Sequence, residues 1–474
     1  MRKREKYLGY LYIAPWCIGF LILTLYPFIV SLLYSFTNYD MFRMEFLGLK
    51  NYIDIFTWDK TIMGSLSKTL LYTAISVPLK LLTALLVALM LNKLRRGRTV
   101  YYTIFYLPSI LGSSVALAVL WKYVFKKDGL LNLLLGAIGI QGANWLGDPR
   151  LVLYVMMLLP LWQMGAPMVL FLAALKNVPV DLMEAAKIDG ARPFQVLWKI
   201  TLPMITPIIF FNTIMQTIEI IQIFTPAYLI TKGGPIKQTY LYSLYLYDTA
   251  FRDGKIGYAS ALSWILFVII ITFTLVLAHP KSGFITETNR VKNHMKENVN
   301  IKQKIKKAGI YIIITIAAVI VGYPLVWLYF AAFKGNAEIF TSAALLPKEF
   351  TLDGFINGWK STAAVPFWVF LWNSCKLVFP TVLLTVISAC LVAYGFSRFE
   401  FKGRKVLMTV MLSTMMLPNT VIMIPRYILF HNFGWLNSYF PFYIMAALAV
   451  NPFFTYLLIQ FFRGIPKDLD EAAY

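Results

Sequence analysis

Long apolar runs alternate with short polar stretches along the whole chain, and this rhythm sets the architecture before any single residue is considered. The runs cover residues 11–36, 69–92, 100–125, 151–175, 202–230 and 258–278, then 308–333, 367–396, 406–430 and 438–462. Each is close to the ~20 residues that a helix needs to cross hydrocarbon. Apolar residues follow one another within the runs without the in-out alternation of a membrane barrel strand. The pattern therefore predicts an all-α polytopic membrane protein with about ten transmembrane helices.

The polar stretches carry a repeat. VPVDLMEAA at 178–186 recurs as IPKDLDEAA at 465–473, each directly after a long apolar run. Six spans separate the equivalent points, so the repeat is parallel, whereas an inverted-repeat transporter needs an odd number. The spans divide six plus four, and the second repeat is expected to be incomplete because it stops inside its polar loop. Residues 281–307, rich in Lys, Asn and Glu, read as a linker on the cytoplasmic side. The expected partition is a first domain over 1–280 with its polar loop at 178–203, the linker at 281–307, and a second domain over 308–474. Met295 opens a stretch, MKENVNIKQKIKKAG, that looks like the start of an independent membrane protein. Two adjacent coding units read as one chain would give this layout.

Composition agrees with the pattern. Of 474 residues 59% are hydrophobic and 14% charged, with a mean hydropathy of +0.67, where soluble domains carry roughly a quarter charged residues. The net charge of +22 would suit nucleic acid if it formed one patch. Instead Lys and Arg gather at 2–6, 93–98, 176–199, 281–307 and 398–405, between spans that alternate in direction. That is the positive-inside pattern; it puts the N-terminus and both copies of the repeated loop in the cytoplasm and excludes nucleic acid as a partner. The apolar run after MRKREK has no small-residue cleavage site, so it reads as a retained span. Cys375 and Cys390 are roughly 22 Å apart along one helix, too far for a disulfide.

The loop at 178–203 has the parts of a lever. Pro179 suits a helix start, Asp181 and Glu184 favour the positive end of the helix dipole, and Ala185 and Ala186 keep one face small. Asp189-Gly190 stops the helix. A second amphipathic helix through Phe194, Leu197 and Trp198 leads to Leu202-Pro203, where the next span is expected to begin.

On these residues the chain resembles the permease subunits of binding-protein-dependent ABC importers of the carbohydrate type, such as the maltose, glycerol-phosphate and multiple-sugar systems. The carriers of the resemblance are Glu184-Ala185-Ala186, Gly190 and Leu202-Pro203, with the segment 231–235 (TKGGP), the segment 257–261 (GYASA), and Tyr-Pro at 26–27 and 323–324. It implies two permease subunits in one chain, the second truncated. It implies that Glu184, Ala185, Ala186, Asp189 and Gly190 dock on one of two cytoplasmic ATPase subunits. Glu471, Ala472 and Ala473 would be the second copy's counterparts. An extracytoplasmic solute-binding protein, a sugar, the bilayer of a bacterial cell membrane and a complete second permease subunit are the further partners implied.

No phosphate-binding loop of the form G-x-x-x-x-G-K-[ST] is present, so ATP and Mg²⁺ are expected on a separate ATPase and no cofactor on this chain. No catalytic motif occurs, and His279, His294 and His431 lack neighbours at metal-ligand spacing. Polar residues inside spans are costly and invite a functional reading. Asn212, Gln216 and Glu219 share one helical face, extended by Gln222, and would offer hydrogen bonds to a polyhydroxylated solute; the same residues could equally bond helix to helix. Asn373, Asn419 and Asn451 are weaker candidates, and Lys80 and Lys376 are expected to snorkel or pair with an acid. Two rival functions stay open: a secondary transporter driven by an ion gradient, and a membrane scaffold that moves nothing.

Overall fold

A computed structural model describes residues 2–94, 96–112, 114–278, 301–341, 344–360, 365–415 and 417–465. In chain order the helices are α1 (Arg2–Phe20), α2 (Tyr26–Ser35), α3 (Lys50–Thr57), α4 (Lys60–Lys93), α5 (Arg98–Leu111), α6 (Val115–Phe125) and α7 (Leu130–Ala137). Then come α8 (Val152–Trp162), α9 (Gly165–Lys176), α10 (Val180–Ile188), α11 (Pro193–Val196), α12 (Leu202–Ile221), α13 (Tyr242–Tyr247) and α14 (Ile256–Ala278). Beyond the linker lie α15 (Ile301–Ala331), α16 (Asn336–Thr341), α17 (Asp353–Lys360), α18 (Phe367–Arg398), α19 (Arg404–Thr414), α20 (Asn419–Asn432), α21 (Phe440–Ala447) and α22 (Pro452–Arg463). Among the described residues the only β pairing is the isolated bridge between Thr37 and Phe46.

Among the described residues seven helical segments are long and apolar enough to cross a membrane, and the number rises to ten when each of three bent pairs is counted as one span. This is the all-helical polytopic membrane fold that the hydrophobic pattern predicts. The run at 100–125 is one span in the sequence but broken in the structure: α5 meets the segment Val115–Ala137, formed by α6 and α7, at 107°. The break has a local cause. Gly112 sits at φ +56°, a conformation that costs glycine little, and Gln163 makes up for the lost helix bonds. Its Nε2 donates to the Gly112 carbonyl at 2.7 Å, while Ser109 Oγ donates to the Gln163 carbonyl at 3.1 Å. Gln163 itself lies at the 43° bend between α8 and α9, so two broken spans share one set of hydrogen bonds. The run at 406–430 is likewise bent, by 95° between α19 and α20, ahead of Pro418 at the N-cap of α20.

The chain forms two compact units: Met1–Asp59 with Leu246–Ile270 and Asn357–Tyr474, and Lys60–Tyr245 with Ile271–Ile356. Packing thus cuts across the partition into 1–280, 281–307 and 308–474, because each unit takes helices from both sides of the linker. Linker residues 281–300 lie outside the described residues, and 301–307 form the start of α15. In the first unit α1 packs on α18 and α2 on α20, with α18 also against α21 and α22. Glycines set the closest approaches: a Cβ on Gly395 would lie 2.9 Å from side-chain atoms of Tyr12 and Ile13, and one on Gly19 would lie 2.6 Å from the Leu448 carbonyl. Between helices in lipid such small residues let van der Waals packing supply the attraction. A π-turn at Leu21–Leu25 joins α1 to α2, and Arg426 Nε donates to the Leu23 carbonyl inside it at 2.9 Å.

In the second unit α4 is the central mast, packed by α8, α9 and α12, while α5 contacts α9 and α15. Its polar groups are tied across the unit: Tyr72 Oη donates to the Met156 carbonyl, the Tyr242 amide to Thr69 Oγ1, and Trp162 Nε1 to the Val321 carbonyl, each at 2.9 Å. In hydrocarbon no water would satisfy these groups. Much of α15's outer surface, including Ile313, Ile316 and Ile320, is exposed, as befits a face solvated by lipid.

Candidate functional site

Between α9 and α12 the second unit puts out the loop at 178–203. Asp181 occupies the first turn of α10, where an acid meets the helix's positive end. At the far end the Asp189 amide donates to the Ala185 carbonyl at 3.0 Å and the Ala191 amide to the Ala186 carbonyl at 2.9 Å. Gly190 sits between them at φ +75°. This is the left-handed helix stop that the Asp-Gly pair predicts. Two residues later the Arg192 amide donates to Gln195 Oε1 at 2.7 Å and Pro193 opens α11.

The sequence places the start of the next span at Leu202-Pro203. The helix instead begins at Pro193 and runs through a π-turn at Leu197–Thr201 into α12, giving a continuous apolar segment Pro193–Ile221. Pro203 removes a backbone donor, and the extra residue in the preceding π-turn re-registers the bonding so that the helix passes the proline without stopping. The loop is therefore not hinged to the span; its second helix is the span's own first turns.

The loop's surface is apolar where its neighbours in sequence are charged. Ile188 is 87% exposed, and Leu182, Phe194 and Trp198 are exposed as well, the last two with ring centres 5.9 Å apart. Glu184, Ala185, Asp189 and Gly190 are exposed and Ala186 is half-buried. Bare apolar side chains on a polar loop are the material of a contact surface. The second copy, Glu471, Ala472 and Ala473, lies outside the described residues.

The polar residues of α12 separate into two groups. Asn212 and Gln216 are buried inside the unit, and Asn212 Nδ2 and Gln216 Oε1 have no hydrogen-bond partner among the described residues. Glu219 faces outward, its side chain 64% exposed, and stands 3.8 Å from the Nζ of Lys80, whose side chain is 4% exposed. Gln222 follows the last residue of α12, Ile221, and its side-chain Nε2 donates back to the Ile218 carbonyl at 2.8 Å. The acid that Lys80 pairs with was not specified by spacing, since the two lie 139 positions apart and only the contact of α4 with α12 brings them together. Elsewhere Asn451 Oδ1 caps α22 by accepting from the Phe453 amide at 3.1 Å. Lys376 lies over the Trp372 ring, 5.7 Å from its centre. Among the described residues no cluster of His, Cys, Asp and Glu could hold a metal ion.

Residues 60–280 match the family described as binding-protein-dependent transport system inner membrane component. The chain is 46% identical over 287 residues to the probable ABC transporter permease protein YesP of Bacillus subtilis strain 168, covering 60% of this chain and 93% of that one. It is 33% identical over 269 residues to the lactose transport system permease protein LacF of Rhizobium radiobacter, covering 55% and 90%. With the trehalose/maltose transport system permease protein MalF of Thermococcus litoralis it shares 32% over 284 residues, covering 58% and 94%. In fold it is similar to the crystal structure of a bacterial ABC transporter involved in the import of the acidic polysaccharide alginate. That match has a TM-score of 0.51 at 23% identity, over 58% of this chain and 95% of the other.

Proposed function

Because this chain belongs to the family of binding-protein-dependent transport system inner membrane components, we propose that it forms the membrane-crossing path of an ATP-driven carbohydrate importer in a bacterial cell membrane. The observation that carries this reading is the set of exposed apolar side chains on the 178–203 loop, whose second helix continues without a joint into the bundle. In this reading the N-terminus and the loop are cytoplasmic. Ile188 and its neighbours seat in a groove on one of two ATPase subunits, which bind ATP and Mg²⁺, while the permease itself performs no chemistry. Glu184, Ala185, Ala186, Asp189 and Gly190 lie at the contact, with Glu471, Ala472 and Ala473 as the second docking copy in a second permease domain at 308–474. A solute-binding protein delivers a saccharide on the opposite side. Hydrolysis shifts the population between two arrangements of the bundle, which requires the ATPase to contact each arrangement differently. Within the path Glu219 offers its carboxylate to sugar hydroxyls, and Asn212, Gln216 and Gln222 supply further polar groups nearby.

Replacing Glu184 with Lys is expected to lower co-purification of the ATPase roughly tenfold, the effect of about 1.4 kcal/mol lost at a charged contact, while membrane insertion stays unchanged. Undiminished co-purification would remove the docking role. The Lys80–Glu219 pair supports one alternative, coupling to an ion gradient, because paired charges inside spans also mark such pathways. Uptake measured with ATP present and the membrane potential collapsed separates the two: it persists for the importer and fails for the gradient-driven carrier.

A further inference from the structure

The second unit contains a cavity of about 690 Å³ between the last turns of α6 and α15, lined by Lys122, Tyr123, Lys126, Ile230, Trp327 and Ala331 among others. Its walls are almost wholly apolar. The rings of Tyr123 and Trp327, both in the lining, stack with centres 4.2 Å apart, and Tyr123 Oη donates to the Ile339 carbonyl of α16. Trp327 is buried, yet its Nε1 has no hydrogen-bond partner among the described residues. Lys334, also buried, sits 5.8 Å above the same indole. No carboxylate belongs to the lining; Glu338 of α16 accepts from the Lys348 amide at 3.0 Å and its charge also acts on Lys334.

The depth of this cavity is set by the helices that build it. The stretch of α15 long and apolar enough to cross a membrane, Ala308–Ala331, ends beside the cavity, and Trp, Tyr and Lys concentrate where such stretches give way to headgroups. Lys122 lies in the last turn of α6 and Lys126 is its C-cap, with an extended backbone and an amide that donates to the Lys122 carbonyl at 2.9 Å; both line the cavity. From these observations we propose that the cavity is a binding site for an anionic phospholipid, with an acyl chain against the apolar wall and the phosphate on Lys122 and Lys126. A saccharide does not fit, because the wall offers almost no partner for its hydroxyls. A free phosphate has no use for the apolar volume. A zwitterionic lipid would carry its own cation to a site already holding ammonium groups. The site stands apart from the 178–203 loop and from Glu219, so it holds whether or not the importer reading does.

The test uses the intact chain in nanodiscs containing trace phosphatidylglycerol or phosphatidylcholine with a photoactivatable diazirine in the acyl chain. Crosslinked peptides are mapped by mass spectrometry. The glycerol probe should label peptides covering 115–126 and 327–332 roughly tenfold more than the choline probe, as two interfacial lysines would produce. The double variant Lys122→Ser/Lys126→Ser should lose that preference and Lys122→Arg/Lys126→Arg should keep it. Equal labelling by the two probes, labelling spread evenly over all spans, or an undiminished preference in the serine variant would overturn the proposal. Should the serine variant fail to accumulate, the comparison of probes on the unaltered chain decides alone.

Discussion

At the scale of single residues the informative groups are those whose polarity conflicts with their depth. Lys80 is buried and depends on Glu219 for its counter-charge, so removing the carboxylate strands an ammonium in the helix interface. Glu219→Gln should therefore lower stability by roughly 2 kcal/mol, less than a fully buried pair because the carboxylate is largely exposed. Lys80→Met combined with Glu219→Gln should recover part of the loss. Thermal unfolding of the parent and the two purified variants in one detergent measures this, and a double variant no better than the single one would show that the pair is not coupled. The sequence shows that Lys80 needs an acid; it does not say which, because a partner on another helix depends on packing rather than spacing. Gln163 was missed altogether. Its signal is faint, an amide inside an apolar run, and its role appears only when Gly112 and Ser109 of a different span come within 2.7 and 3.1 Å of it.

Among elements, the lengths of the spans were legible and their breaks were not. Hydropathy counts residues but does not register Gly112 or Pro418, whose effect on direction requires a backbone conformation. The converse error occurred at Leu202-Pro203, where a proline reads as a helix start although a π-turn carries the helix through. The contact between α5 and α9 offers a test of how tightly elements are fitted. A Cβ on Gly165 would fall 2.8 Å from the Phe105 carbonyl and from Tyr106 Cα, whereas one on Gly64 in α4 meets nothing within 4 Å. Backbone atoms cannot swing aside as side chains do. Gly165→Ala should thus cost about 1–3 kcal/mol, while Gly64→Ala should be neutral or stabilising by up to ~1 kcal/mol through helix propensity. Melting temperatures of the two variants, measured side by side, should fall on opposite sides of the parent; a matching pair would refute the tight contact.

For the molecule as a whole, the repeat and the span count could be read from the chain, but the composition of the compact units could not. Sequence proximity suggests that 1–280 folds by itself. Instead α1 lies on α18, α2 on α20 and α5 against α15, pairings that join residues hundreds of positions apart and leave no trace in local periodicity. Cutting the chain within 281–300 and expressing the pieces together should therefore yield two polypeptides that co-purify. The first piece expressed alone should accumulate several-fold less, because the faces of α1 and α2 are left bare. Equal yields with and without the second piece would contradict the interlocked packing.

That interlocking bears on heredity. A covalent join across the linker adds little to the assembly, since complementary faces already hold the pieces, so fission or fusion of the coding frame there would pass almost unnoticed by selection. Recombination that imported one piece from a relative would not be neutral, for the newcomer would have to match several foreign surfaces at once. The two pieces are bound to co-evolve whether or not a single ribosome makes them.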